Sequence, residues 1–97
     1  MHIGEWLRAA RQEAGLSVEE ATFRLREVLP RVLWVSTKTV HRAETNPEPD
    51  PVLAGGLARV YGKSRQEMPP NLIEELDQVA AVLNLRKGAY LSSPRAA

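Results

Sequence analysis

From Val35 to Glu44 the chain reads Val-Ser-Thr-Lys-Thr-Val-His-Arg-Ala-Glu. Ser36 is a good helix N-cap, because its hydroxyl accepts one of the amide protons that a helix start leaves unpaired. In the helix that follows, Val40 and Ala43 share one face, with Val35 just ahead of the cap. Thr37, Lys38, His41 and Arg42 share the other. A hydroxyl, an ammonium, an imidazole and a guanidinium therefore project together, with no acid among them until Glu44. Such a face can approach a polyanion, and it carries the donors that read base edges in the major groove of DNA. The narrow apolar stripe behind it suits a short helix lying on other helices.

The elements needed to hold that helix recur at short intervals, and no stretch alternates like a strand for long. A first helix is expected over His2–Ala14, with Ile3, Leu7, Ala10 and Ala14 as its stripe, Trp6 widening it and Gly15 closing it. Ser17-Val18-Glu19-Glu20 has the form of a capping box. It opens a second helix with Ala21, Leu25 and Val28 facing inward and Pro30 marking its end. Phe23 falls off that stripe and is expected under the following loop. Arg31-Val32-Leu33-Trp34-Val35 is too apolar for a free loop, and its Val and Trp suit an extended piece folded back on the domain, with Trp34 as its packing residue.

Asn46-Pro47-Glu48-Pro49 must be a connector, and Asp50-Pro51 supplies an N-cap and an N1 proline for the next helix. That helix directs Val52, Leu53, Leu57 and Val60 inward and stops at Gly62. Gly55-Gly56 in its middle costs about 2 kcal/mol relative to two alanines, for which close approach of another backbone is the expected reason. Ser64-Arg65-Gln66-Glu67 repeats the capping pattern for a short fifth helical turn ending before Pro69-Pro70. Asn71-Leu72-Ile73-Glu74 repeats it again for a helix with Leu72, Leu76, Val79 and Leu83 in its stripe, widened by Ile73 and Ala80. The expectation is an all-α chain: a compact five-helix domain over residues 1–70, an additional C-terminal helix over 71–87 and a flexible tail over 88–97.

Composition narrows the classes of function. The 97 residues fit one small domain, and the net charge is only +1, less basic than a typical nucleic-acid module. Residues 1–46 hold seven Lys and Arg against six Asp and Glu, so any positive surface comes from arrangement. There is no cysteine, hence no disulfide, thiolate metal site or thiol nucleophile. Apolar runs are too short to span a membrane and the start lacks the order of a signal peptide, so the expected location is the cytoplasm. His2 and His41 are the sole histidines, no metal-ligand cluster accompanies them, and no serine stands in a nucleophile-elbow context. No enzymatic activity, cofactor or metal is expected.

Taken in order, Arg8, Arg11, Gly15-Leu16-Ser17-x-Glu19-Glu20, Val35-Ser36…Val40…Glu44 and Leu53…Leu57-Ala58…Tyr61-Gly62 resemble the helix-turn-helix domains of the Xre/Cro/phage-repressor family. The resemblance covers about residues 3–68 and implies a lambda-repressor-like fold with the recognition helix at about 36–45. It implies base contacts from Thr37, Lys38 and Arg42, to which the outer face adds His41. It implies phosphate contacts from Ser17, Val18 (through the amides that open the second helix), Ser36, Thr39 and Thr45, and a structural ion pair between Arg11 and Glu44.

This chain also departs from the family pattern. Val18 replaces a usual glutamine, the stretch joining the second and third helices is about eight residues longer than in compact members, and Glu48 and Asp50 occupy a connector that is often basic.

Two binding functions follow. One is a sequence-specific regulator acting on double-stranded DNA, of phage or plasmid repressor or Cro-like type. The other is an antitoxin-like or other protein-interaction module that retains the fold and holds a protein partner. A module this small reads few base pairs, so the first implies a homodimer on two half-sites, with the stripe over residues 71–84 as its seam.

Overall fold

Helix α1 (Ile3–Glu13) and helix α3 (Thr37–Thr45) cross so closely that no side chain fits between their backbones at Gly4. A Cβ there would stand 2.4 Å from the carbonyl oxygen of Asn46, 2.8 Å from that of Ala43 and 2.9 Å from that of Glu44. The N-terminal turn of α1 is thus seated on the last carbonyls of α3. Because the obstacles are backbone atoms, no rotamer change relieves them. Gly4→Ala is expected to cost about 2–3 kcal/mol, read as a lower urea midpoint with an unchanged slope.

The coordinates are a computed structural model that describes the backbone of residues 2–95 and the side chains of residues 2–82. Around α1 and α3 lie α2 (Val18–Val28), α4 (Pro51–Val60) and α5 (Pro70–Arg95), with short 3-10 turns at Arg31–Leu33 and Arg65–Glu67. The chain is all-helical and compact, with no strand among the described residues. None of its described helices is long and apolar enough to cross a membrane. One core gathers Ile3, Leu7, Leu25, Val40, Leu57 and Leu72, all with essentially no exposure.

Local chemistry sets the helix starts. Ser17 Oγ accepts from Glu20 N at 3.0 Å while the Glu20 carboxylate accepts from Ser17 N, a complete capping box. Those hydrogen bonds hold the Glu20 carboxyl below its ordinary pKa. Asp50 accepts from the amides of Val52 and Leu53 at 2.8 and 3.1 Å, and Pro51 occupies N1 of α4. Gly15 and Gly62 follow α1 and α4 at positive φ.

Several expectations change. The segment after Pro30 is a 3-10 turn, not an extended piece, and its tip is not folded back: Val32 is 86% exposed. The inward stripe of α2 is Ala21, Leu25 and Leu29, with Leu25 and Leu29 lying against Gly56, so Val28 turns outward. Ala14, at the C-cap of α1, is likewise exposed.

Phe23 is 66% exposed, because the connector runs along the opposite side of α2, where Leu33 and Val35 share a groove with Leu29. Val52 lines that same groove and is half-exposed rather than core. What approaches Gly55 and Gly56 is not backbone but the side chains of Leu76 and Leu25, at 3.1 and 3.0 Å from a built Cβ.

The expected fifth helix is only the 3-10 turn Arg65–Glu67, so the fifth α-helix is the C-terminal one. Its first residue is Pro70, with Leu72 N and Ile73 N both donating to Pro69 O. The second proline therefore starts the helix rather than preceding it, since an N1 residue needs no amide proton. Leu72 is fully buried and Leu76 packs on the core, joining the beginning of α5 to the domain. The helix continues to Arg95, past the 87/88 boundary expected for the tail. The side chains of that expected tail, and of Leu83, lie outside the described residues.

Candidate nucleic-acid interface

The outer face of α3 owes its position to a buried polar cluster beneath it. Arg11 Nε donates to Glu44 Oε2 at 2.7 Å and Arg11 Nη2 to Glu44 Oε1 at 3.0 Å, a two-point fork joining α1 to α3. The remaining guanidinium nitrogen, Nη1, donates to the Leu16 carbonyl at 2.9 Å, tying in the turn that leads to α2. Tyr61 adds a third hydrogen bond to the carboxylate, its hydroxyl donating to Glu44 Oε2 at 3.4 Å from just beyond α4. Glu44 is 4% exposed. Three helices and a turn are thus fixed relative to one carboxylate at the C-terminal end of α3.

Hydrogen bonding from Glu44 holds the Arg11 guanidinium more firmly protonated than usual. Burial, and then the Glu44 charge, push the Tyr61 phenol well above its ordinary value of about 10. A phenol whose pKa is raised on folding contributes stability below its unfolded pKa and loses it as pH rises. Wild-type protein is therefore expected to weaken as pH climbs above about 10, and Tyr61→Phe to weaken less steeply there. Urea midpoints at pH 9 and pH 11 compare the two.

On the other side of α3, Lys38, His41 and Arg42 are exposed and Thr37 is half-buried. Lys38 and Arg42 make no ion pair among the described residues. Together with Val18 and Glu19 at the start of α2, these four line an open groove of about 370 Å³. The groove brings together all the residues expected to touch bases. It also shows one that the sequence reading did not assign, Glu19, which sets a carboxylate opposite the cations. No family model, curated protein or solved structure matches this chain.

The residues expected at phosphates divide by what their hydroxyls already do. Ser17 Oγ accepts a cap hydrogen bond, which leaves its own proton to donate. Ser36 Oγ accepts from Thr39 N at 3.3 Å and lies 3.2 Å from Thr39 Oγ1, so one hydroxyl of that pair donates to the other. Thr45 Oγ1 donates to the Arg42 carbonyl at 3.0 Å, which commits its proton within α3. Val18 lies at the N-terminus of α2, beside the groove.

Two further residues were not singled out from the sequence as fixing this surface. Tyr61 belongs to the family resemblance, but no periodicity marks its hydroxyl as a partner of Glu44. Gly4 is no part of the apolar stripe expected for α1, and its packing against α3 could be learned only by placing the two helices together.

Proposed function

We propose that the chain is a sequence-specific DNA-binding transcriptional regulator with a lambda-repressor-like helix-turn-helix fold, and that α3 is its recognition helix. The observation that carries this is the groove between α2 and α3, where exposed Lys38, His41 and Arg42 stand together on a helix anchored from behind by Arg11 and Glu44. A rigid helix presenting donors outward matches what a major groove requires. On this reading Thr37, Lys38, His41 and Arg42 face base edges, while Ser17, Ser36, Thr39 and the amide end of α2 at Val18 face phosphates. The protein acts in the cytoplasm as a repressor of phage or plasmid type, as a homodimer whose seam includes the exposed part of α5.

Arg42 provides the direct test. A guanidinium forked onto guanine O6 and N7 contributes about 1–3 kcal/mol of discrimination at one position. Arg42→Ala, competed against single-base variants of a selected operator, is expected to lose preference at one position and keep it elsewhere. Thr39→Ala should weaken every duplex equally with little change in salt dependence, since no cation is removed. An Arg42→Ala protein with wild-type preference at every position would show that α3 does not read sequence through that side chain.

Exposed apolar residues support a second reading, an antitoxin-like or other protein-interaction module. Val32 and Phe23 project from opposite sides of α2 and its connector into solvent, more apolar surface than a DNA contact requires. Weak, unselective binding to every duplex would favour that reading.

A further inference from the structure

The connector between α2 and α3 carries an arrangement that the groove does not use. Trp34 donates its indole N–H to the Leu29 carbonyl at 3.1 Å, which pins the ring against the end of α2. Two guanidinium groups lie against that ring, Arg26 at 5.6 Å and Arg31 at 5.8 Å from its centroid. Both arginines are exposed, and neither makes an ion pair among the described residues. With both held on one indole, the two cations are no more than about 12 Å apart. Arginine loses less freedom per hydrogen bond when its plane is already held, so the ring preorganises both for an anionic partner.

The surroundings favour one kind of anion. No acid occurs from Val28 to Ala43, a span that begins at the last residue of α2, covers the whole connector and ends within α3, just before Glu44. Glu19, Glu20 and Glu27 of α2 line a hollow with Phe23 and Arg24 that includes neither Arg26 nor Arg31, although Glu19 also borders the groove of α3. The connector is also continuous in space with the proposed DNA surface, since Leu33 and Val35 line one groove together with Thr39. Thr39 in turn shares a neighbouring hollow with Arg42. A duplex strand carries one phosphate per about 3.4 Å of axis, so two cations at this separation can meet neighbouring phosphates on one strand.

We infer that Arg26 and Arg31, braced on Trp34, form a second phosphate clamp that grips the duplex backbone beside the groove entered by α3. The inference rests on the DNA-binding reading above. It gives the long connector a role: extra backbone affinity in a chain whose net charge is only +1.

The test is the salt dependence of binding to a selected operator, measured by fluorescence anisotropy of the labelled duplex between about 50 and 200 mM salt. Each phosphate contact contributes about 0.9 to the slope of log affinity against log salt. Arg26→Ala/Arg31→Ala is expected to flatten the slope by about two units, with base preference and melting temperature unchanged. Arg31→Gln alone should flatten it by about one. Trp34→Leu keeps both charges but releases them, so the slope should hold while affinity falls roughly three- to tenfold.

A double variant that keeps the wild-type slope overturns the clamp. If Arg42→Ala still loses its base preference in the same series, the DNA-binding reading stands and the clamp alone fails. Wild-type protein that binds no duplex removes both. A Val32→Asp change in solution mass, with the slope of the double variant unaltered, assigns the connector tip to a protein contact instead.

Discussion

Glu44→Ala is expected to lower the melting temperature by roughly 12–24 °C, the shift that about 3 kcal/mol produces in a domain of this size. The loss comes less from the missing attraction than from what is left behind. Arg11 would keep its hydrogen bond to the Leu16 carbonyl but lose both bonds of its fork in a place that is only 14% exposed. A guanidinium cannot shed its proton to escape that burial. Arg11→Ala strands the opposite charge, a carboxylate with 2% of its side chain exposed and only the Tyr61 hydroxyl at 3.4 Å as partner.

Melting curves of both variants decide the matter, and unchanged temperatures in both would show that the fork carries no stability. Replacing the pair together by apolar residues of similar size should cost less than either single change, because nothing charged is then left buried.

That ion pair also shows where sequence reasoning reaches its limit. The helix that carries Glu44 was legible, since Ser36, Val40 and Ala43 announce a cap and a stripe within ten residues, and the structure has α3 capped by Ser36 with Val40 and Ala43 buried. A partner 33 residues away is not announced by any local pattern, and the pairing of Arg11 with Glu44 could be anticipated only through the family resemblance. Tyr61 and Gly4 escaped notice for the same reason, being defined by contacts between elements.

Apolar residues near helix ends failed differently. Val28 and Leu29 both suit a stripe through Leu25, and only the position of Gly56 on α4 decides that Leu29 turns inward. In the connector, Val and Trp are residue types that suit a strand. The backbone instead closes a 3-10 turn, through Leu33 N to Pro30 O at 2.8 Å and Trp34 N to Arg31 O at 3.1 Å. Its ring is held by cations and a carbonyl rather than by the core. In the candidate site, the outer face of α3 was legible from spacing alone, whereas Glu19 enters the groove only because α2 and α3 pack side by side.

Ending the chain at Pro70 is expected to abolish cooperative folding, although the sequence reads as a compact domain over residues 1–70 with the last helix as an addition. Leu72 has no exposed surface and belongs to the same core as Leu7, Val40 and Leu57. Leu76 lies against Gly55 on α4, so removing it uncovers a helix that has no side chain of its own at that point. Deleting a buried leucine costs about 2–5 kcal/mol. Losing both approaches the 5–15 kcal/mol that holds a whole domain together. The first turns of α5 are therefore structural, and a truncation there cannot test assembly.

The outer part of the helix can. Val82 is 51% exposed and borders a groove of about 320 Å³ with Pro51, Glu75, Gln78 and Val79. Val82→Asp removes nothing from the core, so its melting temperature should stay within a few degrees of wild type. If this groove is the dimer seam, the buried aspartate should weaken self-association at least tenfold, with a matching loss of affinity for a two-half-site operator but not for a single half-site. Sedimentation and half-site titration measure the two effects. Unchanged stoichiometry in Val82→Asp would exclude this groove as the seam, and a cooperative melt for the chain ending at Pro70 would show that Leu72 and Leu76 are dispensable to the core.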